Sequence, residues 1–300
     1  MSALEQRIED FLQAPLAAAF LVLADRNDLD GDQLADPATA CTLASTALRE
    51  LNPWSGGTRP AVVRADVLEA ARPLRSLLAA VLADERNSWW DAPLQRDAQL
   101  LLTGREDRQP DPFQVPVPVG PIGSWETYAQ KPVHALITST ELAVPAGEPI
   151  RSSAHAELAC GASDWDPAYP VDQRRLQVAE HARIAEVHSA ADWHALSTRY
   201  GDPATHHGSD SSLREVAEID NGLAPTWSAL AADYDGVHLS FAGLLSALYV
   251  PVSSPQSGTT TLWAWDWECT HWIRSVFIDT TALPQLPEPP QAMNYWQPLG

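Results

Sequence analysis

A proline-dense stretch in the middle of the chain divides it into two regions with different sequence patterns. Five prolines fall within residues 109–121, which read QPDPFQVPVPVGP. Because proline fixes φ and removes a backbone N–H, this stretch disfavours helix and favours an extended connector. We therefore predict a helical domain over 1–108, a Pro-rich connector over 109–122, and an α+β domain over 123–300 that ends in a Pro-rich tail.

The region before the connector has the residue spacing of amphipathic helices. Asp36 followed by Pro37 is a helix-start signal, since aspartate caps free N–H groups and proline suits the first helical position. A further helix is predicted over 88–102, and the whole region should form a small helical bundle. Helical spacing also relates the apolar residues nearest the N-terminus, which are Leu4, Ile8, Phe11 and Leu12.

The region after the connector reads mainly as strands. Ser189 is expected to cap a helix that contains Trp193. The segments 176–178 and 183–188 are expected to pair as a hairpin. The predicted fold class is therefore α+β, with an N-terminal helical domain followed by a mixed, mainly antiparallel β domain with flanking helices. Runs of β-branched and apolar residues predict strands over 133–140, 176–178, 183–188, 237–240, 259–267 and 272–278.

The segment WAWDWECT, residues 263–270, is the most unusual part of this second region. Side chains alternate between the two faces of a strand, so three tryptophans would share one face. Asp266 and Glu268 would share the other. We predict that this segment is a central strand whose tryptophan face lies in the core and whose carboxylate face lines a polar cleft.

Composition narrows the classes of function. The net charge is -20. A surface this acidic repels the phosphate backbone of nucleic acids, so broad nucleic-acid binding is not expected. The cysteines Cys41, Cys160 and Cys269 are widely spaced and form neither a CxxC metal motif nor a disulfide framework, so we expect reduced thiols and no metal. The N-terminal sequence lacks a signal-peptide pattern or a membrane-length apolar run, and a cytoplasmic location is expected.

Two short motifs carry the functional hypothesis, because the sequence has no GxSxG, GxxxxGK[ST] or GxGxxG pattern. Thr138, Ser139 and Thr140 end a predicted strand, and Asp266 and Glu268 lie on a later one. This pairing resembles the ADP-ribosyltransferase family, in which a Ser-Thr-Ser strand supports an NAD-binding cleft and a later Glu-x-Glu or Gln-x-Glu element supplies the catalytic carboxylate. The resemblance extends over at most the C-terminal two-thirds of the chain.

The resemblance implies NAD as the bound nucleotide and assigns roles to these residues. Glu268 would hold the nicotinamide-ribose hydroxyl and stabilise the oxocarbenium-like transition state, and Asp266 would orient the acceptor. A developing ribosyl cation needs such a fixed carboxylate in a site that excludes water. Ser139 would support Glu268. The remaining residues expected at the NAD site are Thr138, Thr140, His134 and Tyr128.

Two other functions stay open from the sequence. One is a non-catalytic interaction module that docks a partner through its acidic and aromatic surface. The other is a carboxylate-pair hydrolase acting on a small glycoside or nucleoside. The acceptor could be a protein or a small molecule, no membrane partner is expected, and the oligomeric state cannot be read from these patterns.

Overall fold

A computed structural model describes residues 2–51, 60–105, 112–114, 136–145, 147–161, 167–202, 223–255, 258–263 and 265–288. The helices in these ranges are α1 Ala3–Gln13, α2 Pro15–Arg26, α3 Gly31–Leu34, α4 Pro37–Leu51, α5 Pro60–Ala71, α6 Arg75–Ala83, α7 Ser153–Cys160, α8 Ala190–Tyr200, α9 Trp227–Leu230 and α10 Phe241–Ala247, with 3-10 segments at Arg72–Leu74 and Glu85–Asp91. The strands are β1 Gln99–Thr103, β2 Leu136–Thr140, β3 Val171–Val178, β4 Ile184–Val187, β5 Gly236–Leu239, β6 Val252–Ser254, β7 Gly258–Thr260, β8 Cys269–Trp272 and β9 Phe277–Leu286.

The N-terminal helices confirm the predictions made from local signals. Ser2 and Glu5 form a capping box at the start of α1, and Ile8 and Phe11 on its inner face are buried. Helix α4 begins at Pro37, and the Asp36 carboxylate accepts a hydrogen bond from the Thr39 N–H at 2.9 Å. Here the caps and the apolar spacing agree, so the local sequence is sufficient to define the element.

The helix predicted over 88–102 is wrong. A 3-10 segment ends at Asp91, and after a short connection that includes Pro93 the chain enters strand β1. Proline disfavours helical backbone in the residue before it, which is consistent with the helical segment ending here. Strand β1 then lies inside the sheet between β2 and β3. The predicted connector is described only at 112–114, and the division into domains stays a prediction.

The main sheet has seven strands in the order β4-β5-β8-β2-β1-β3-β9, and β6 with β7 form a separate pair. Within the seven-stranded sheet β4 and β5 are parallel, and the other described pairs are antiparallel. The α+β fold class with a mainly antiparallel sheet is therefore confirmed. The predicted hairpin is wrong, because β3 pairs with β1 and β9 while β4 lies at the opposite edge beside β5. Pairing partners are non-local, and a short turn-like connection does not determine them.

Only Cys269 and Thr270 of the tryptophan-rich segment belong to a central strand, β8, and the prediction is wrong for the described residues before them. Strand β7 ends at Thr260 and β8 begins only at Cys269. The described residues between them, 261–263 and 265–268, have no regular strand pairing apart from a bridge between Leu248 and Leu262. Trp263 and Trp265 are nevertheless buried, as predicted, whereas Trp267 is only half-buried. The Trp265 ring packs against helix α8 and strand β8 through Trp193 and His271. Large aromatic side chains can thus reach the core from an irregular backbone.

Apolar residues form two buried clusters. The larger one joins the N-terminal helices to α8, α10 and the irregular tryptophan segment. The smaller one contains Leu136, Leu176 and Trp272 together with Leu94 from the connection before β1. Helix α10 approaches β4 so closely that a side chain in place of Gly243 would overlap the Val187 carbonyl. Within the described parts of the chain, no helix is long and apolar enough to cross a bilayer.

Candidate functional site

Four polar side chains form a row across the sheet. The register pairs Glu186 on β4 with His238 on β5, His238 with Thr270 on β8, and Thr270 with Thr138 on β2. Residues that are directly paired in neighbouring strands place their side chains on the same face. The row therefore brings two ionisable side chains, Glu186 and His238, onto one face of the sheet near the start of β8.

Glu268 lies beside this row, two residues before Thr270 and immediately before β8. Its Oε2 accepts hydrogen bonds from the Ser139 hydroxyl at 2.8 Å and from the Thr140 N–H at 3.1 Å. Its Oε1 lies 3.2 Å from His238 Nε2. Only 5% of Glu268 is exposed. The contact between Ser139 and Glu268, which the sequence resemblance implies, is therefore present, and the carboxylate has donors from two neighbouring strands.

His238 bridges two carboxylates. Its Nδ1 lies 2.6 Å from Glu186 Oε2, and the other Glu186 oxygen accepts a hydrogen bond from the Leu94 N–H at 3.2 Å. Burial lowers the pKa of His238, but the hydrogen bonds and charges of Glu186 and Glu268 outweigh burial and raise this pKa to about 9. We call Glu186, His238, Glu268 and Ser139 the acid–histidine network.

Glu186 shows the complementary effect. Burial alone would raise the pKa of its carboxyl group, but the hydrogen bond and charge of His238 dominate and the pKa lies below its usual value. His188, one residue after β4, has its Nε2 4.0 Å from Glu186 Oε2 and its Nδ1 3.0 Å from the Ser240 hydroxyl. Both partners of the Glu186–His238 pair are thus stabilised in their charged forms.

Thr138 and Thr140 differ from Ser139 in what they contact. The Thr138 hydroxyl donates to Gln99 Oε1 at 2.5 Å and accepts from the Trp272 indole N–H at 2.9 Å. The Thr140 side chain accepts from the Gln99 amide at 3.3 Å, and only its backbone N–H reaches Glu268. The side chain of Thr138 is therefore committed to core packing, and Ser139 is the hydroxyl that supports the carboxylate.

Asp266, which was also predicted for the site, is not part of the network. Asp266 is half-buried in the irregular segment, and its negative charge adds to burial in raising the pKa of Tyr249. The hydrogen bonds described for Glu268 come from Ser139, Thr140 and His238 rather than from the vicinity of Asp266. The predicted strand face shared by the two acids does not exist, because no strand covers them. His134 and Tyr128 lie outside the described residues.

Sequence reasoning missed Glu186 and His238. The signal available was their position: each sits within a short apolar strand, as in Gly236-Val237-His238-Leu239, where a charged side chain is unusual. The sequence does not reveal the parallel pairing of β4 with β5, and this pairing is what places Glu186 and His238 side by side. A buried ionisable residue within an apolar strand is thus a useful indicator, but its partner depends on the sheet order.

The network is not arranged as a metal site. The two ring nitrogens of His238 point to opposite sides, one at Glu186 and one at Glu268, so the three side chains cannot converge on one ion. In the residues that the structure describes, no group of three His, Cys, Asp or Glu is placed to hold a metal. Cys41, whose thiol is affected by the Glu268 charge, is kept neutral because burial raises its pKa to about 12.

A second buried histidine has a structural role. The Ser152 hydroxyl lies 2.8 Å from His155 Nδ1, and His155 Nε2 lies 2.9 Å from Gln173 Oε1. Ser152 is also the N-cap of α7 and accepts a hydrogen bond from the His155 N–H. Burial lowers the pKa of His155. This hydroxyl–imidazole pair is fully enclosed and fastens the start of α7 to strand β3.

Comparisons with models of protein families, with curated proteins and with solved structures find no match to this chain. Function must therefore be argued from the geometry of the acid–histidine network.

Proposed function

We propose that this protein is an NAD-using, ADP-ribosyltransferase-like enzyme in which Glu268 is the catalytic carboxylate. The observation that supports the proposal is the 2.8 Å hydrogen bond from the Ser139 hydroxyl to Glu268 Oε2. Ser139 belongs to a Thr-Ser-Thr strand, β2, that pairs with the strand directly following Glu268. This is the relation between a hydroxyl-bearing strand and a late glutamate that the resemblance implies.

The proposed chemistry cleaves the bond between nicotinamide and ribose C1′ of NAD, which is the substrate. Nicotinamide leaves with the bonding electron pair, and positive charge develops on the ribose. The Glu268 carboxylate stabilises this charge because Ser139 and Thr140 fix its position and because its burial strengthens electrostatic interactions. An acceptor oxygen or nitrogen then bonds to C1′ and loses its proton. Without an acceptor, water takes its place and ADP-ribose is the product.

The residues fit NAD only in part. Ser139 and Glu268 are disposed as the chemistry requires, whereas Thr138 is occupied by Gln99 and Trp272. Only 5% of Glu268 is exposed, so productive binding requires the side chains around it to move apart. The proposal therefore predicts binding that is coupled to a local rearrangement.

Binding of NAD can be tested by thermal unfolding of the purified chain. With NAD at about ten times its Kd, ligand linkage should add about 1.4 kcal/mol to the stability of the folded state and raise Tm by roughly 2–4 °C. Glu268→Gln should still bind, because the substitution keeps the size of the side chain. The exposed Glu180→Gln serves as the matched control. If millimolar NAD leaves Tm unchanged, the enzyme proposal is abandoned.

A second candidate is a non-catalytic interaction module, and the burial of the network favours it. His238 is 2% exposed and both its nitrogens are bonded, which is how a purely structural ion network looks. With a net charge of -20, such a module would select a basic partner. It predicts that NAD neither binds nor is cleaved. The carboxylate-pair hydrolase gains no support, since the His238 ring occupies the space between Glu186 and Glu268.

A further inference from the structure

We propose that His238 and Glu186 are positioning residues for Glu268: a doubly protonated His238 lies between the two carboxylates, and Glu186 retains its proton so that the ring keeps donating to Glu268 and holds that carboxylate in orientation. The inference deepens the proposed function and rests on it for its catalytic meaning. The arrangement of charges itself can be tested without any turnover.

Hydrogen-bond chemistry requires the proton. Each ring nitrogen of His238 faces a carboxylate oxygen, Nδ1 at 2.6 Å from Glu186 and Nε2 at 3.2 Å from Glu268. An ionised carboxylate can only accept, so both nitrogens must donate, and an imidazole with two N–H groups is positively charged. A neutral ring would leave one nitrogen lone pair facing a carboxylate inside the protein, which is unfavourable.

The charges around the His238 ring also favour its doubly protonated, positively charged state. Two carboxylates face one imidazolium, and the remaining described donors to those carboxylates are neutral: the Ser139 hydroxyl and the Thr140 N–H at Glu268, and the Leu94 N–H at Glu186. His188 is the next titratable group, 4.0 Å from Glu186.

Two cysteine thiols also lie within electrostatic range of Glu268, Cys41 on α4 and Cys269 at the start of β8. Burial keeps both thiols neutral, so neither adds a negative charge beside Glu268. The pKa of His238, raised to about 9, agrees with the geometric argument.

Glu186 acts at a distance from the proposed chemistry. It contacts His238 and the Leu94 N–H, whereas Glu268 is reached through the opposite nitrogen of the ring. Replacing Glu186 by glutamine removes one of the two charges that retain the proton. His238 should then lose its proton at lower pH, and its Nε2 would cease to be held as a charged donor to Glu268.

The test is a titration of the histidine side chains in the full chain labelled with 15N-histidine, followed by long-range 15N–1H correlation spectra. In the wild type both nitrogens of His238 should carry protons at about pH 7 and lose one near pH 9. In Glu186→Gln this titration should move down by at least about one pH unit, which is a tenfold weaker hold on the proton. The exposed Glu180→Gln should leave it unchanged.

A singly protonated His238 at neutral pH in the wild type overturns the proposal, and so does a titration that Glu186→Gln leaves in place. The wild-type spectrum decides the first point even if the variant does not fold. In turnover, the alkaline limb of the pH profile for nicotinamide release should move to lower pH in Glu186→Gln, because His238 then loses its proton at lower pH. A protein that shows the expected titration but releases no nicotinamide contradicts the proposed function alone.

Discussion

Replacing His238 by glutamine should remove a pH dependence of stability that the acid–histidine network creates. The pKa of His238 is raised from 6.5 to about 9 in the folded chain. The stabilisation is therefore fully present below about pH 6.5 and is lost as the pH rises through 9. At 1.36 kcal/mol per pKa unit, the difference corresponds to about 3 kcal/mol of folding free energy.

The assay is urea unfolding of the wild type and of His238→Gln at about pH 7 and pH 10, with the free energy of unfolding extrapolated to water. Buried cysteines also reduce stability at alkaline pH, since burial raises the pKa of Cys160 to about 11. Both proteins share that loss, so the comparison between them isolates His238. We expect the wild type to lose about 2–3 kcal/mol more than the variant between the two pH values.

The exposed His181→Gln is the matched control, because it removes a histidine on the turn between β3 and β4. It should lose as much stability between the two pH values as the wild type does. Equal losses in the wild type and in His238→Gln would refute the reasoning, because they would mean that His238 holds no extra proton in the folded state.

Three further outcomes are expected. Burial lowers the pKa of His271 to about 3, so stability should fall by about 1.4 kcal/mol per pH unit as the pH drops from 6.5 toward 3, and thermal unfolding of His271→Phe should lack that component. Thr138→Val leaves the Trp272 indole N–H without its acceptor and should cost about 1–3 kcal/mol in urea unfolding while nicotinamide release persists. Trp265→Ala should cost about 3–5 kcal/mol, whereas Ile278→Ala, at an exposed position on β9, should stay within about 0.5 kcal/mol.

The elements that could be predicted from the sequence are those defined by local signals. Helix α4 begins where Asp36 and Pro37 indicate, and Ser189 caps α8 as expected, with its hydroxyl accepting from the Asp192 N–H. In both cases the residues that decide the structure lie within one helical turn of each other. Tertiary packing is not needed to place such a boundary.

The sheet pairing could not be predicted, because it depends on contacts between distant parts of the chain. The turn between β3 and β4 favours a hairpin by its composition, yet β4 pairs in parallel with β5, about fifty residues later. The Trp263 to Thr270 segment has strand-like alternation, yet its indoles pack against helix and sheet from an irregular backbone. Alternation alone does not distinguish a strand from a well-packed loop of large residues.

The candidate site, like the fold, could be predicted from the sequence only in part. Ser139 and Glu268 were predicted together only through the resemblance to a family, and the structure brings them into contact. His238 and Glu186 were missed because their relation depends on the sheet order. Asp266 was included on the basis of a strand face that does not form. A site assembled from three strands and the segment before a fourth can be recognised in a sequence only where a familiar motif marks one of its parts.

The most direct test of the account is release of nicotinamide from NAD by the purified chain, without added acceptor, followed over hours against a blank without protein. We predict slow release by the wild type and by the matched control Glu180→Gln. Release by Glu268→Gln should fall to the blank, while its thermal unfolding still shows a folded protein and its Tm still responds to NAD. Undiminished release by Glu268→Gln, or no release by the wild type, would contradict the assignment of Glu268 as the catalytic carboxylate.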